Sequence, residues 1–243
     1  MSPQMQYRDR GVVLRTIKLG EADRIITIIT SGHGKVRAVA KGARRTRSRL
    51  AGHVEPLRHV DLQLYRGRGE LDIVTGAETL DRWPGLREDL DRLGTAMTLA
   101  EAVDQSVHDR GDDPVPYQML VGALRRLDLV SSEMLLPAFL LRLLAHEGTA
   151  PLLDECVVGG GCDDAAIVAF DPAQGGVTCE THRRGRPLGP GALGLLRSII
   201  AGQVNSVLDA PRSADTQEAA AVVTSMWEYH MDRRLRSADL LGR

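Results

Sequence analysis

Between residues 10 and 80 the chain changes polarity in short runs. Residues 11–17 (GVVLRTI) and 24–30 (RIITIIT) are apolar and rich in β-branched side chains, which suits strands. Ser31-Gly32-His33-Gly34 between the second and third runs reads as a hairpin turn. Residues 35–41 (KVRAVAK) alternate with a period of two, which puts Lys35, Arg37 and Val39 on one face and Val36, Ala38 and Ala40 on the other. A loop from 42 to 52 follows. Residues 57–66 and 70–78 make a second hairpin across Gly67-Arg68-Gly69. Five short strands within about 70 residues predict a small barrel, and the OB-fold is the commonest five-stranded choice.

After Asp81 the period lengthens to that of a helix. Leu86, Leu90, Leu93, Met97, Ala100 and Val107 recur at helical spacing over 86–109, and Asp112-Asp113-Pro114 stops that run and caps the next. Further helices are predicted at 116–127, 131–147, 188–208 and 214–236. The stretch 135–144 is apolar nearly all round, as in a helix buried in a core. The predicted class is α+β: a five-stranded OB-fold barrel over 1–80, then a helical bundle over 81–243, interrupted by a small insertion at about 152–186.

Composition is that of an ordinary globular protein, with 43% hydrophobic and 26% charged residues among 243. Without an apolar run long enough to span a bilayer and without a signal-peptide h-region at its start, the chain is expected to be cytoplasmic. The net charge of −1 hides a division. Residues 1–80 hold 15 Lys and Arg against 8 Asp and Glu, and the remainder holds 16 against 24. A basic first part joined to an acidic second part points the former toward a polyanion.

The polyanion reading is sharpest between 35 and 49. Lys35, Arg37, Lys41, Arg44, Arg45, Arg47 and Arg49 fall there without one acidic residue, and Thr46 and Ser48 add hydroxyl donors. Cations of this density neutralise phosphates and release counterions, giving affinity without sequence preference. Tyr7 and Tyr65 are the only aromatic residues before position 81, so electrostatics should outweigh base stacking.

All three cysteines lie in one 27-residue window with His182, as Cys156, Cys162 and Cys179. Three thiolates and an imidazole make a closed tetrahedral zinc set with no open position for water, so one structural Zn2+ per chain is predicted. Cys179-x2-His182 has ordinary knuckle spacing, whereas Cys156-x5-Cys162 is wider than usual.

Other signals are weak. Gly32-x-Gly34-Lys35 is not a phosphate loop, since Ile29 and Val36 occupy defining positions. His146-Glu147 lacks the second His of a zinc-protease helix. His53 and His59 read as surface or phosphate-side residues rather than catalysts. Arg125, Arg126 and Arg142 sit on apolar helices, where arginine usually snorkels to solvent and less often receives an acidic peptide. No pair of carboxylates stands out as a general acid and base, so no enzyme is predicted and a metal-dependent nuclease has little support.

The chain resembles the RecO family of bacterial recombination mediators. The resemblance begins at Gly11-Val12-Val13-Leu14 and Gly20-Glu21-Ala22-Asp23-Arg24-Ile25. It is strongest at Gly34-Lys35-x4-Ala40-Lys41-Gly42-Ala43-Arg44 with Ser48-Arg49-Leu50. It continues through Leu62-x-Leu64-Tyr65-Arg66-Gly67-x-Gly69, and more loosely through Phe139 to Leu144, Gly148, the cysteine window and Arg234-Leu235-Arg236-Ser237. The resemblance implies an OB domain and a helical domain that often carries zinc. It also implies binding of single- and double-stranded DNA, annealing of complementary strands, and partnership with RecR and with the acidic C-terminal tail of single-strand-binding protein. These would help load recombinase onto coated gaps, with no catalytic residue. The chain departs from the family's paired Cys-x2-Cys knuckles: Gly159 stands where a second Cys is usual, and His182 where the last Cys is usual. The competing expectation is a zinc-containing interaction scaffold that reaches DNA only through partners.

Overall fold

The computed structural model describes residues 6–67, 69–159, 166–231 and 235. Strands β1 (Gln6–Leu19), β2 (Asp23–Thr30), β3 (Lys35–Ala40), β4 (His59–Tyr65) and β5 (Asp72–Asp81) close into a barrel in the order β1-β2-β3-β5-β4. β1 pairs antiparallel with β2 and β4, and β3 meets β5 in parallel, which completes the expected OB-type barrel. β1 starts five residues earlier than its apolar run, because the polar stretch from Gln6 to Arg10 pairs with β4 from Tyr65 to Asp61. Inward positions alternate, in β3 as predicted: Val13, Ile26, Ile28, Ala38, Ala40, Val60, Leu62, Leu64 and Val74 form the barrel core. The β2–β3 turn needs Gly34, which has φ +59° and on which a Cβ would meet the backbone of Gly111 at 2.6 Å.

The helix predicted over 86–109 is two helices, α1 (Pro84–Glu88) and α2 (Leu90–Ser106). Asp89 separates them: its backbone is extended, and its carboxylate accepts the N–H groups of Asp91 and Arg92 at 2.9 and 3.1 Å, as an N-cap does. α3 (Val115–Leu129) follows. Helices α2 and α3 pack on β1 and β2, and the outward-facing Thr27 and Ile29 are buried.

The described residues fall into two compact units that divide between Val130 and Ser131. The change from strands to helices near Asp81 is therefore not where the compact units part, because α1–α3 belong with the barrel. The second unit contains α4 (Leu135–His146), α5 (Pro190–Ile200), α6 (Val204–Leu208) and α7 (Ala214–Met231). Helix α4 buries eight of its twelve residues against neighbours that include α5 and α7. The predicted helix 188–208 breaks at Gly202, whose φ of +82° ends α5. Between α4 and α5 lies a three-stranded sheet of β6 (Ile167–Asp171), β7 (Gly176–Cys179) and β8 (Arg186–Pro187), in the order β7-β6-β8. Among the described residues no helix is long and apolar enough to cross a membrane.

Candidate functional site

The basic segment divides into a covered part and an open part. Lys35 and Arg37 face outward from β3, but α2 reaches the former. The Lys35 ammonium donates to the Asp104 carbonyl at 2.7 Å and lies 3.4 Å from the Asp109 carboxylate. Arg37 is half-buried, with Nε sealed from solvent and making no hydrogen bond. Arg15, in the same cross-strand row through Thr27, is paired with Asp104.

Beyond Ala40 the cations are open. Lys41, Arg44, Arg45, Arg47 and Arg49 are all exposed. Among the described residues, Lys41, Arg45, Arg47 and Arg49 make no ion pair, and Arg44 donates to the Gly20 carbonyl at 2.9 Å. The loop that carries them is pinned from below. Ala43 is buried in the barrel core, and Leu50 packs against that core. Gly42, at φ +66°, donates its N–H to the Asp23 carboxylate at 2.7 Å, and the Arg44 N–H reaches the Ala22 carbonyl at 2.9 Å. Gly42 and Ala43 thus seat the loop on the β1–β2 turn, while the long side chains project from it.

Beside this loop lies a feature that the charge pattern concealed. Ile17 pairs with Ile25, Ile25 with Val39 and Val39 with Ile73, so four aliphatic residues cross the outer face of the barrel in one row. Ile17 is 46% exposed. The strand alternation already placed Val39 outward, and the cross-strand register supplies its companions.

A second cluster sits at the end of β7. Cys156, Cys179 and His182 bring their ligand atoms within 4.8 Å of one another. The His182 Nδ1 lies 3.7 Å from the Cys156 Sγ and 3.5 Å from the Cys179 Sγ. Zinc bonds of ordinary length at the tetrahedral angle require S···N separations of about 3.6 Å, so the imidazole stands at a suitable distance from each sulfur to share one ion with it. The folding is local: the Val157 N–H pairs with the Val177 carbonyl, and the Cys179 N–H donates to the Cys156 sulfur at 3.4 Å. Gly176 permits this approach, since a Cβ there would meet Val157 at 2.3 Å. Amide donors at Val158 and Cys179 hold the Cys156 thiol below its ordinary pKa, which favours the thiolate that a metal needs. Cys162 lies outside the described residues.

The remaining candidates separate. Arg125 and Arg126 are on α3 in the first unit, whereas Arg142 is exposed on α4 in the second. His59 is not a surface residue: it is 6% exposed, and its ring nitrogens lie 2.7 Å from the Asp81 carboxylate and 2.9 Å from the Tyr117 hydroxyl. That pairing satisfies a buried imidazole between barrel and helix. His53 is half-buried, with Nδ1 2.7 Å from the Thr79 hydroxyl.

Two family models match the chain, Recombination protein O N terminal over residues 1–83 and Recombination protein O C terminal over residues 87–239. Curated relatives run almost end to end with it. The DNA repair protein RecO of Nocardioides sp. is 40% identical over 242 residues, covering 96% of this chain and 98% of the relative. The protein of the same name from Cutibacterium acnes is 39% identical over 247 residues, covering 98% and 99%. That from Bifidobacterium longum is 39% identical over 242 residues, covering 97% and 98%.

Proposed function

Because the chain belongs to the RecO family of DNA repair proteins, we propose that it is a non-enzymatic cytoplasmic mediator that grips DNA strands through the loop after β3. The observation that carries this reading is the set Lys41, Arg44, Arg45, Arg47 and Arg49: five exposed cations on a loop whose backbone is held by Ala43, Asp23 and Leu50. A held loop lowers the ordering cost of binding a flexible strand. Guanidinium groups suit paired phosphate oxygens and leave base edges free. Neutralising two strands at once lowers their mutual repulsion, which is what annealing requires. The aliphatic row from Ile17 to Ile73 offers splayed bases an apolar surface where aromatic residues are scarce. Of the seven cations in the segment, Lys35 contributes to this surface least, since α2 already holds it.

In this reading the acidic second unit serves partner proteins. RecR and the tail of single-strand-binding protein are the partners the family suggests; Arg142 on the second unit, and separately Arg125 and Arg126 on α3 of the first, are candidate contacts for an acidic peptide. Together they would help load recombinase at coated gaps. Zinc at Cys156, Cys179 and His182, with Cys162 as the proposed fourth ligand, would knit the sheet module and supply no chemistry.

The test is salt-titrated binding to single- and double-stranded DNA. Changing Arg44, Arg45 and Arg47 to Ala should flatten the slope of log K against log salt by up to about 2.7 on duplex, at roughly 0.9 per lost phosphate contact. An unchanged slope overturns the assignment. DNA binding that needs a partner protein would favour the scaffold reading instead.

A further inference from the structure

Where the barrel meets α1, a small cavity of about 60 Å³ opens beside Arg58. That volume is several times the ~10–15 Å³ one water needs, and too small for a base. Its walls include Leu57, Trp83 and Leu86, all buried, and its charged lining is Arg58, Arg82 and Arg87. Arg82 and Arg87 are exposed. Arg58 is 9% exposed, and its Nε and Nη1 are sealed from solvent without a hydrogen-bond partner.

A buried guanidinium normally has an acidic or carbonyl partner, because unpaired buried donors are costly. Here the nearby acid is Glu55, and its carboxylate is paired with Arg24 at 3.0 Å. The other charges acting on Arg58 are Arg87 and Arg82, which add repulsion. Burial, and after it these two like charges, depresses the Arg58 pKa, so the site as it stands is short of negative charge.

The backbone around the cavity is constrained as well. Leu57 has φ +65° and Trp83 φ +50°, both in the left-handed region that non-glycine residues avoid. The two are tied together, since the Trp83 indole N–H donates to the Leu57 carbonyl at 2.8 Å. Leu57 and Arg58 are further held to β1 through Val13, by bonds of 2.8 and 3.0 Å. Strained backbone persists where its surroundings over-determine it, and such residues gather at ligand sites.

We propose that Arg58, Arg82 and Arg87 form a pocket for a single phosphate group. Three guanidinium groups match a phosphate monoester, which carries about −1.5 to −2 at pH 7, better than a single carboxylate charge. A terminal phosphate protrudes from its chain and enters so small a cavity, while an internal phosphodiester carries a substituent on each side. The group has two sources: free inorganic phosphate, or the phosphorylated end of a nucleic-acid strand. The pocket involves none of the cations of the basic loop and does not rest on the strand-binding reading.

Titration of the full chain with potassium phosphate, against potassium chloride at matched ionic strength, tests it. Trp83 is one of two tryptophans and lines the cavity, so its fluorescence reports occupancy. A saturable change is expected. Arg82→Ala with Arg87→Ala, both at exposed positions, should weaken it at least tenfold, and so should Arg58→Lys, which keeps the charge but loses the fork. Arg45→Ala with Arg47→Ala should leave it unchanged. Two oligonucleotides of one sequence, with and without a 5′ phosphate, then separate the sources. Tighter binding of the phosphorylated strand, lost in the Arg82/Arg87 variant, assigns the strand end; equal binding of the two beside a saturable phosphate response assigns the free ion. Absence of a saturable phosphate response, or one equal in the Arg82/Arg87 variant, overturns the proposal.

Discussion

The ammonium of Lys35 donates to the Asp104 carbonyl oxygen at 2.7 Å, tying the first residue of β3 to helix α2 across 69 positions of sequence. Its side chain is only 12% exposed. Lys35→Ala is therefore expected to cost about 1.5–3 kcal/mol of stability, as lost hydrogen bonds to charged groups do. It should leave the salt slope of DNA binding where it was. Urea denaturation and salt titration on one preparation separate the two effects, and a flattened slope would return Lys35 to the strand-binding surface.

Asp23 holds the Gly42 N–H at 2.7 Å and so fixes the base of the basic loop. Asp23→Ala should cost about 1–2 kcal/mol by leaving that donor without its charged acceptor. It should also weaken DNA binding several-fold, although it removes a negative charge from the vicinity. Simple electrostatics gives the opposite sign, so the direction of the affinity change distinguishes pre-organisation from net charge.

Asp9 is 7% exposed and organises the β2–β3 turn, accepting from Ser31 at 2.6 Å and the Gly32 N–H at 3.1 Å, with the His33 Nδ1 at 2.6 Å. Burial alone would raise its pKa; the bonds from Ser31, His33, Gly32 and Thr30 outweigh burial and lower it. A carboxylate with a depressed folded-state pKa contributes stability above the unfolded value of about 3.9, and loses it as pH falls through the folded value. The melting temperature should therefore fall below about pH 4 more steeply in the parent chain than in Asp9→Asn. Parallel curves for the two proteins would remove Asp9 as the titrating group.

Elemental analysis of protein purified without added metal should find about one zinc per chain. Cys179→Ser and His182→Ala should each lower that content toward zero and lower the melting temperature. A chelator should do so only in the parent chain. Cys162→Ser asks whether that thiol is the fourth ligand, and zinc content equal to the parent's would exclude it.

The barrel, the helical second part, the cation run and the cysteine window could all be read from the chain, because each is a local pattern. Alternation of Val36, Ala38 and Ala40 with Lys35, Arg37 and Val39 is a property of six consecutive residues, and a pleated strand converts it directly into two faces. Cys179 and His182 are three residues apart, and one turn brings them together.

Availability of charge is a different matter, since it depends on what lies across space. Lys35 and Arg45 look equivalent in the sequence, but Asp104 holds one and nothing described pairs with the other. The break at Asp89, the division of the units after Val130 and the row from Ile17 to Ile73 likewise depend on pairing and packing between distant segments. The arginine pocket depends on them most. Arg58, Arg82 and Arg87 stand up to 29 positions apart without a shared motif, and only closure of the barrel onto α1 sets three like charges around one cavity. Sequence patterning determines which face of an element avoids water, because that energy is local and additive. Tertiary contact decides which polar groups keep a partner, because that balance is settled between residues no local window contains.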